Sequence, residues 1–162
     1  MANVRSFREG RSKLMDNAEI LQSIQALTKN ARDTRELMSE TVALLQRERP
    51  HYAWVGVYLI ENGELVLGPF VGKPTPHIRI PLNKGICGAA ASSGKTLVVD
   101  DVRADPRYLA CSLETRSEIV VPIARGGQVL GEIDIDSDAP AAFTDQDRSL
   151  LEEVALILAK KL

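Results

Sequence analysis

The stretch AWVGVYLIENGELVLGPFV, residues 53–71, holds two runs rich in β-branched and aromatic residues on either side of Glu61-Asn62-Gly63. Asn-Gly supplies the positive φ angles that a tight hairpin turn needs, so the stretch reads as two antiparallel strands. The pattern returns downstream, where SEIVVPIA (117–124) and QVLGEIDIDS (128–137) meet across Arg125-Gly126-Gly127. Two such hairpins argue for an antiparallel sheet rather than alternating βαβ units. Ahead of them, Leu14, Ala18, Leu21, Ile24 and Leu27, then Leu37, Val42, Ala43 and Leu45, recur at three and four residue steps. That periodicity predicts two helices broken near Asn30, or one kinked there, with Asp33 or Thr34 as a cap and Pro50 as the stop. The chain closes on TDQDRSLLEEVALILAKKL, where Thr144 caps a helix and Asp147 sits in its first turn, complementing the helix dipole. The expected class is α+β, a central antiparallel sheet with N-terminal and C-terminal helices on one side.

Between the hairpins lie a loop holding Gly72, Pro74 and Pro76, the short run HIRIPL, and NKGICGAAASSG, whose small residues suggest a short helix ending at Gly94. TLVVDD reads as a strand. DVRADPRYLACSLETR, irregular or briefly helical, is long for a loop in a compact domain, and such loops are more often functional than not.

The 162 residues fit one domain, taken as 13–162 behind an N-terminal extension, 1–12. Twenty basic against 22 acidic residues, interspersed, leave a net charge of -2, without the basic footprint of a nucleic-acid binder. No stretch approaches the roughly 20 apolar residues of a membrane span, and the N-terminus lacks a signal-type apolar centre. The expectation is a cytosolic protein without membrane partners, whose N-terminal helices are a candidate homodimer surface as well as a cover for the sheet. The two cysteines, Cys87 and Cys111, are 24 residues apart and fit no common zinc pattern, so no metal is expected.

Three groups of residues carry chemistry. In GEIDIDSD, Glu132, Asp134, Asp136 and Asp138 alternate with Ile133, Ile135 and Ser137, which puts all four carboxylates on one strand face. Either this is a solvated face, or some of the acids line a pocket and bind a cation, an amino group or a proton. Glu118 joins them only in one register. A two-residue Gly-Gly turn sends it to the opposite face, whereas a three-residue loop with a bulge brings it together with Asp134 and Asp136. Pro122 makes irregular pairing easier. Cys87 falls at the start of the short helix, where free backbone N–H groups can lower a thiol pKa, and Cys111 lies near Arg107 and Arg116, which would favour thiolate if they face it. Both thiols are equally readable as buried hydrophobes. Trp54 and Tyr58 share a strand face with Gly56, as core or as pocket wall. His51 and His77 read as loop residues.

WVGVYLIENGELVLGPFVGK (54–73), RIPLNKGICG (79–88), RYLACSLETRSEIVVPI (107–123), GEIDIDS (131–137) and FTDQD (143–147) together resemble the free methionine-(R)-sulfoxide reductases, a family built on the GAF domain. The resemblance covers roughly residues 40 to 160, and the Cys-x23-Cys spacing with SEIV and DIDS makes it more specific than the GAF fold alone. It implies a single GAF domain over 13–162 that reduces the free amino acid's R-sulfoxide, with no bound cofactor and with thioredoxin or another thiol as reductant. By motif position it implies Cys111 as the nucleophile, oxidised to a sulfenic acid, Cys87 as a second active cysteine, Glu118, Asp134 and Asp136 as substrate-binding acids, and Trp54 and Tyr58 as holders of the methyl-sulfur end. The family pattern has a further cysteine ten residues before Cys87, and that position is His77. Cys87 or an external thiol would then have to resolve the sulfenic acid, and His77 would lower the Cys111 pKa if it reached it. The alternative is a non-catalytic GAF sensor for an amino-acid-like ligand. A thiol redox sensor would have no need of Glu118, Asp134 and Asp136, and an acidic pocket would repel a cyclic nucleotide.

Overall fold

A computed structural model describes residues 13–110 and 112–162. The expected N-terminal extension, 1–12, and Cys111 lie outside the described residues. The helical periodicity resolves into α1 (Asn17–Asn30) and α2 (Thr34–Glu48), separated at the predicted break. Asp16 and Glu19 form a reciprocal capping box at the start of α1, and the Asp33 carboxylate accepts from the Glu36 N–H at 2.8 Å, so each helix begins on a side chain that satisfies a free backbone donor. The first hairpin follows as β1 (Trp54–Glu61) and β2 (Glu64–Val71), turning through Asn62 and Gly63 at φ of 52° and 80°. Then come β3 (Arg79–Pro81), α3 (Gly85–Ser93), β4 (Leu97–Val99), a 3-10 turn at Val102–Ala104, the second hairpin β5 (Ser117–Arg125) and β6 (Gln128–Ser137), and α4 (Asp145–Ala159). Residues 105–110 and 112–116 lack regular structure.

Among the described residues the strands join one six-stranded antiparallel sheet in the order β3-β2-β1-β6-β5-β4. The two hairpins thus meet along β1 and β6 at its centre. On one face, Val55, Val57, Ile119, Ile133 and Ile135 pack against Ile20 and Ile24 of α1, Leu45 of α2 and Leu151 and Val154 of α4, all buried. The opposite face carries Trp54, Tyr58 and Val120 against Ile86, Cys87 and Ala90 of α3. The N-terminal and C-terminal helices thus lie on one side of the sheet as expected, and α3 adds a layer on the other. The small residues of α3 let it lie close over the second face, and this thinner layer holds the polar residues. No helix among the described residues is long and apolar enough to cross a membrane.

The hairpin register matches neither sequence alternative. The turn is the two-residue one, with Arg125 opposite Gln128 and Gly126 and Gly127 at φ of 59° and 80°. One step further, Ala124 pairs with Val129 and Ile123 with Gly131, leaving Leu130 as an extra residue. This bulge restores the other register, so Glu118 lies directly across from Asp136.

Candidate active site

The alternation of β6 sends Ile133 and Ile135 into the helical core and Glu132, Asp134 and Asp136 to the α3 face. There they are 0%, 2% and 3% exposed, and Glu118 is 5% exposed, which overturns the reading of a solvated strand face. Only Asp138, beyond the strand end, is exposed. Across the centre of the sheet Trp54 pairs with Asp136, Gly56 with Asp134 and Tyr58 with Glu132, so the aromatics and the acids are direct cross-strand neighbours.

Trp54 is held in one orientation. Its Nε1 donates to the Lys73 carbonyl at 3.1 Å, it stacks on Phe70 with ring centroids 5.6 Å apart, and it lies over Gly56, where an added Cβ would come within 2.2 Å of the ring. Glycine at 56 is what leaves room for the indole. Trp54, Thr75, Glu114, Thr115 and Asp136 line a cleft. Glu114 also accepts from Lys73 Nζ at 2.7 Å, which ties residues 112–115 to the loop after β2 at the same cleft. Tyr58 is fully buried and its hydroxyl donates to the His77 carbonyl at 2.8 Å.

Burial first, then the charges of Asp134 and Asp136, push the Glu118 carboxyl well above its ordinary range. Burial and then Asp134 do the same to Glu132, and burial, Asp134 and Asp138 to Asp136. Asp134 rises by burial to about 6, moderated by hydrogen bonds with Cys87 and Glu118, and is the member of the group that ionises most readily. The cluster therefore offers both states a polar reaction needs: a carboxylate able to meet a cation and carboxylic acids able to give up a proton.

Cys87 enters this niche from the first turn of α3, with its Sγ 3.9 Å from Glu118 Oε1. The expectation of a thiolate at a helix start is corrected. Burial, then Asp134, Glu132 and Glu118, push the thiol well above its ordinary value, because desolvation and neighbouring carboxylates outweigh the partial charge of a helix terminus. Arg107 is turned toward Asp105, pairing at 2.6 Å. His77 is more than a loop residue: its Nε2 lies 3.1 Å from the carbonyl of Ala110, which with the ring proton on that nitrogen makes a hydrogen bond to the residue preceding Cys111. His51 bonds to Asp147 at 3.0 Å, away from the site.

The structure thus brings together Trp54, Tyr58, Cys87, Glu118, Asp134 and Asp136. Glu132 was visible in the sequence as part of the alternating acids, though not set apart as a site residue. The Lys73–Glu114 pair, 41 residues apart, has no local signal.

Comparison with known proteins bears on the family and the fold. The GAF domain model matches residues 33–162. The free methionine-R-sulfoxide reductase of Escherichia coli is 34% identical over 145 residues, which cover 90% of this chain and 87% of the relative. The chain belongs to this family of GAF-domain proteins. Among solved structures, the free methionine-R-sulfoxide reductase of Neisseria meningitidis in complex with its substrate superposes with a TM-score of 0.86 at 38% identity, covering 94% of this chain and 92% of that one. The reduced form of the Staphylococcus aureus fRMsr gives 0.85 at 35%, with 94% and 99% coverage. The residues matched by the GAF domain model include both hairpins and α3.

Proposed function

We propose that this protein reduces free methionine-(R)-sulfoxide to methionine, with Cys111 as the nucleophile. The observation that carries the reading is the convergence of Glu118, Asp134 and Asp136, all buried, on the sheet face where Trp54 walls a cleft. Ser112, Glu114 and Thr115 line that cleft, and Ser112 follows Cys111 in the chain.

In this reading the ligand's ammonium group meets ionised Asp134 and its neighbours. A peptide-internal residue lacks that group, which selects the free amino acid. Trp54 and Tyr58 enclose the methyl-sulfur end. The Cys111 thiolate attacks the sulfoxide sulfur while Glu118 or Asp136, held protonated by burial, gives a proton to the oxygen. In the S–S-bonded adduct that forms, the hydroxyl passes from the substrate sulfur to Cys111 Sγ as the S–O and S–S bonds break, so methionine leaves and Cys111 carries the oxygen as a sulfenic acid. A second thiol condenses with it, releasing water and forming a disulfide that a dithiol such as thioredoxin reduces. Cys87, buried and held as a thiol, is poorly suited to that attack, so an external thiol resolves Cys111 directly.

The test is thioredoxin-coupled NADPH consumption with the free R- and S-sulfoxides. The expected result is turnover of the R form alone, abolished in Cys111→Ser and retained with small-thiol reductants in Cys87→Ser. Activity surviving Cys111→Ser would remove the nucleophile, and tight methionine binding without any turnover would leave a sensor module instead.

A further inference from the structure

In the same niche two of the acids assigned to the substrate stand beside a buried thiol to which the reaction gives no role. Cys87 of α3, Glu118 of β5 and Asp134 of β6 are all buried, and each presents a ligand atom, all lying within 4.8 Å of one another. Around them, both carboxylate oxygens of Glu132, Oδ1 of Asp134 and Oδ1 of Asp136 have no hydrogen-bond partner among the described residues. Glu132 is fully buried and acts electrostatically on Cys87, so its unpartnered carboxylate borders the cluster. None of these four carboxylates forms an ion pair with a lysine or arginine among the described residues. Buried carboxylate oxygens without a partner are costly to ionise, and a cation held among them offsets that cost.

We propose that Cys87, Glu118 and Asp134 form a binding site for a thiophilic divalent cation of the zinc class. The spacing is close to what such an ion requires. A sulfur at about 2.3 Å and a carboxylate oxygen at about 2.1 Å from a tetrahedral zinc stand roughly 3.6 Å apart. Cys87 Sγ and Glu118 Oε1 stand at 3.9 Å and all three ligand atoms lie within 4.8 Å of one another, so closure asks for side-chain movements of up to about an ångström. A thiolate with two carboxylates favours zinc or cadmium over magnesium or calcium, which prefer all-oxygen ligands. Each donor loses its proton on binding, and three anionic ligands more than balance the dication. A fourth position remains for water. The 24-residue spacing of the cysteines could not reveal this site, because its ligands come from three separate elements.

A metal there takes the carboxylates that would meet the ligand's ammonium group, so zinc inhibits by exclusion. That consequence rests on the reductase reading, whereas the metal site itself does not. The test uses the full chain, freed of metal, titrated with cadmium while the sulfur-to-cadmium charge-transfer absorption is followed in the ultraviolet, and with zinc by calorimetry. One equivalent is expected to bind, with the band kept in Cys111→Ser and lost in Cys87→Ser. Glu118→Gln should weaken cadmium binding by roughly tenfold or more. Absence of the band in wild type, or its disappearance in Cys111→Ser, overturns the site whether or not Cys87→Ser folds. A protein that reduces the sulfoxide yet shows no band refutes the metal site alone, and a band without turnover refutes the reductase reading alone.

Discussion

Asp147 shows how one side chain serves two layers of the fold. Its Oδ2 accepts from the N–H and hydroxyl of Thr144 at 2.8 and 2.9 Å, capping α4, while Oδ1 accepts from the Tyr52 hydroxyl at 2.7 Å and faces His51 Nε2 at 3.0 Å. Partial burial pushes this carboxyl up, but the hydrogen bonds together outweigh burial and hold it below the ordinary aspartate value. A depressed folded pKa contributes stability that is present above the unfolded value, near pH 4, and is lost as pH falls through the folded value. Asp147→Asn is therefore expected to cost about 1 kcal/mol at pH 7, lowering Tm by roughly 2 to 4 °C, with the gap to wild type narrowing below about pH 4. Thermal melts at pH 7 and pH 3 decide it. An equal gap at both would mean that the carboxylate charge contributes nothing.

At the scale of elements, the second hairpin decides whether a site exists at all. Its turn was legible because Gly-Gly is a local signal, but the Leu130 bulge was not, since one extra apolar residue in a strand has no signature of its own. Pro122, the residue that suggested irregular pairing, pairs regularly with Glu132. The alternating acids were equally legible as a solvated face, because whether α3 covers them is a tertiary matter. The helix start at Cys87 could be read from Gly85 and Gly88, whereas the carboxylates that reverse its chemistry come from β5 and β6. His77 against Ala110, 33 residues apart, is likewise a product of the fold. The register account makes a prediction. Deleting Leu130 leaves Arg125 opposite Gln128, Ala124 opposite Val129 and Ile123 opposite Gly131, so Glu118 stays across from Asp136. Methionine affinity, followed through Trp54, the single tryptophan of the chain, should then stay within roughly a few-fold of wild type even though the local twist falls. Abolished binding in a folded deletion variant would show that the bulge, and not the pairing it produces, builds the site.

For the whole molecule, the question is where the folding unit begins. The GAF match starts at residue 33, after α1, yet Ile20 and Ile24 of α1 are fully buried among Leu45, Leu151 and Val154. The helix is also tied down at its start. Glu48 accepts from the Met15 N–H at 2.9 Å, and Arg49 donates to the Met15 carbonyl at 2.9 Å and to Asn17 Oδ1 at 2.6 Å. Two fully buried isoleucines contribute about 1.5 to 3 kcal/mol each, a large share of the roughly 5 to 15 kcal/mol that holds a domain together. A chain beginning at residue 33 is thus expected to melt at least about 6 °C below the full chain, or to lose its cooperative transition. Calorimetry on both chains tests this, and equal melting temperatures would make α1 an appendage. The acids and Trp54 lie on the opposite face of the sheet from α1, so whatever fraction of the shortened chain folds should bind methionine with unchanged affinity. Loss of stability with preserved affinity separates the helical core from the site layer, which is the division of labour that the two faces of the sheet imply.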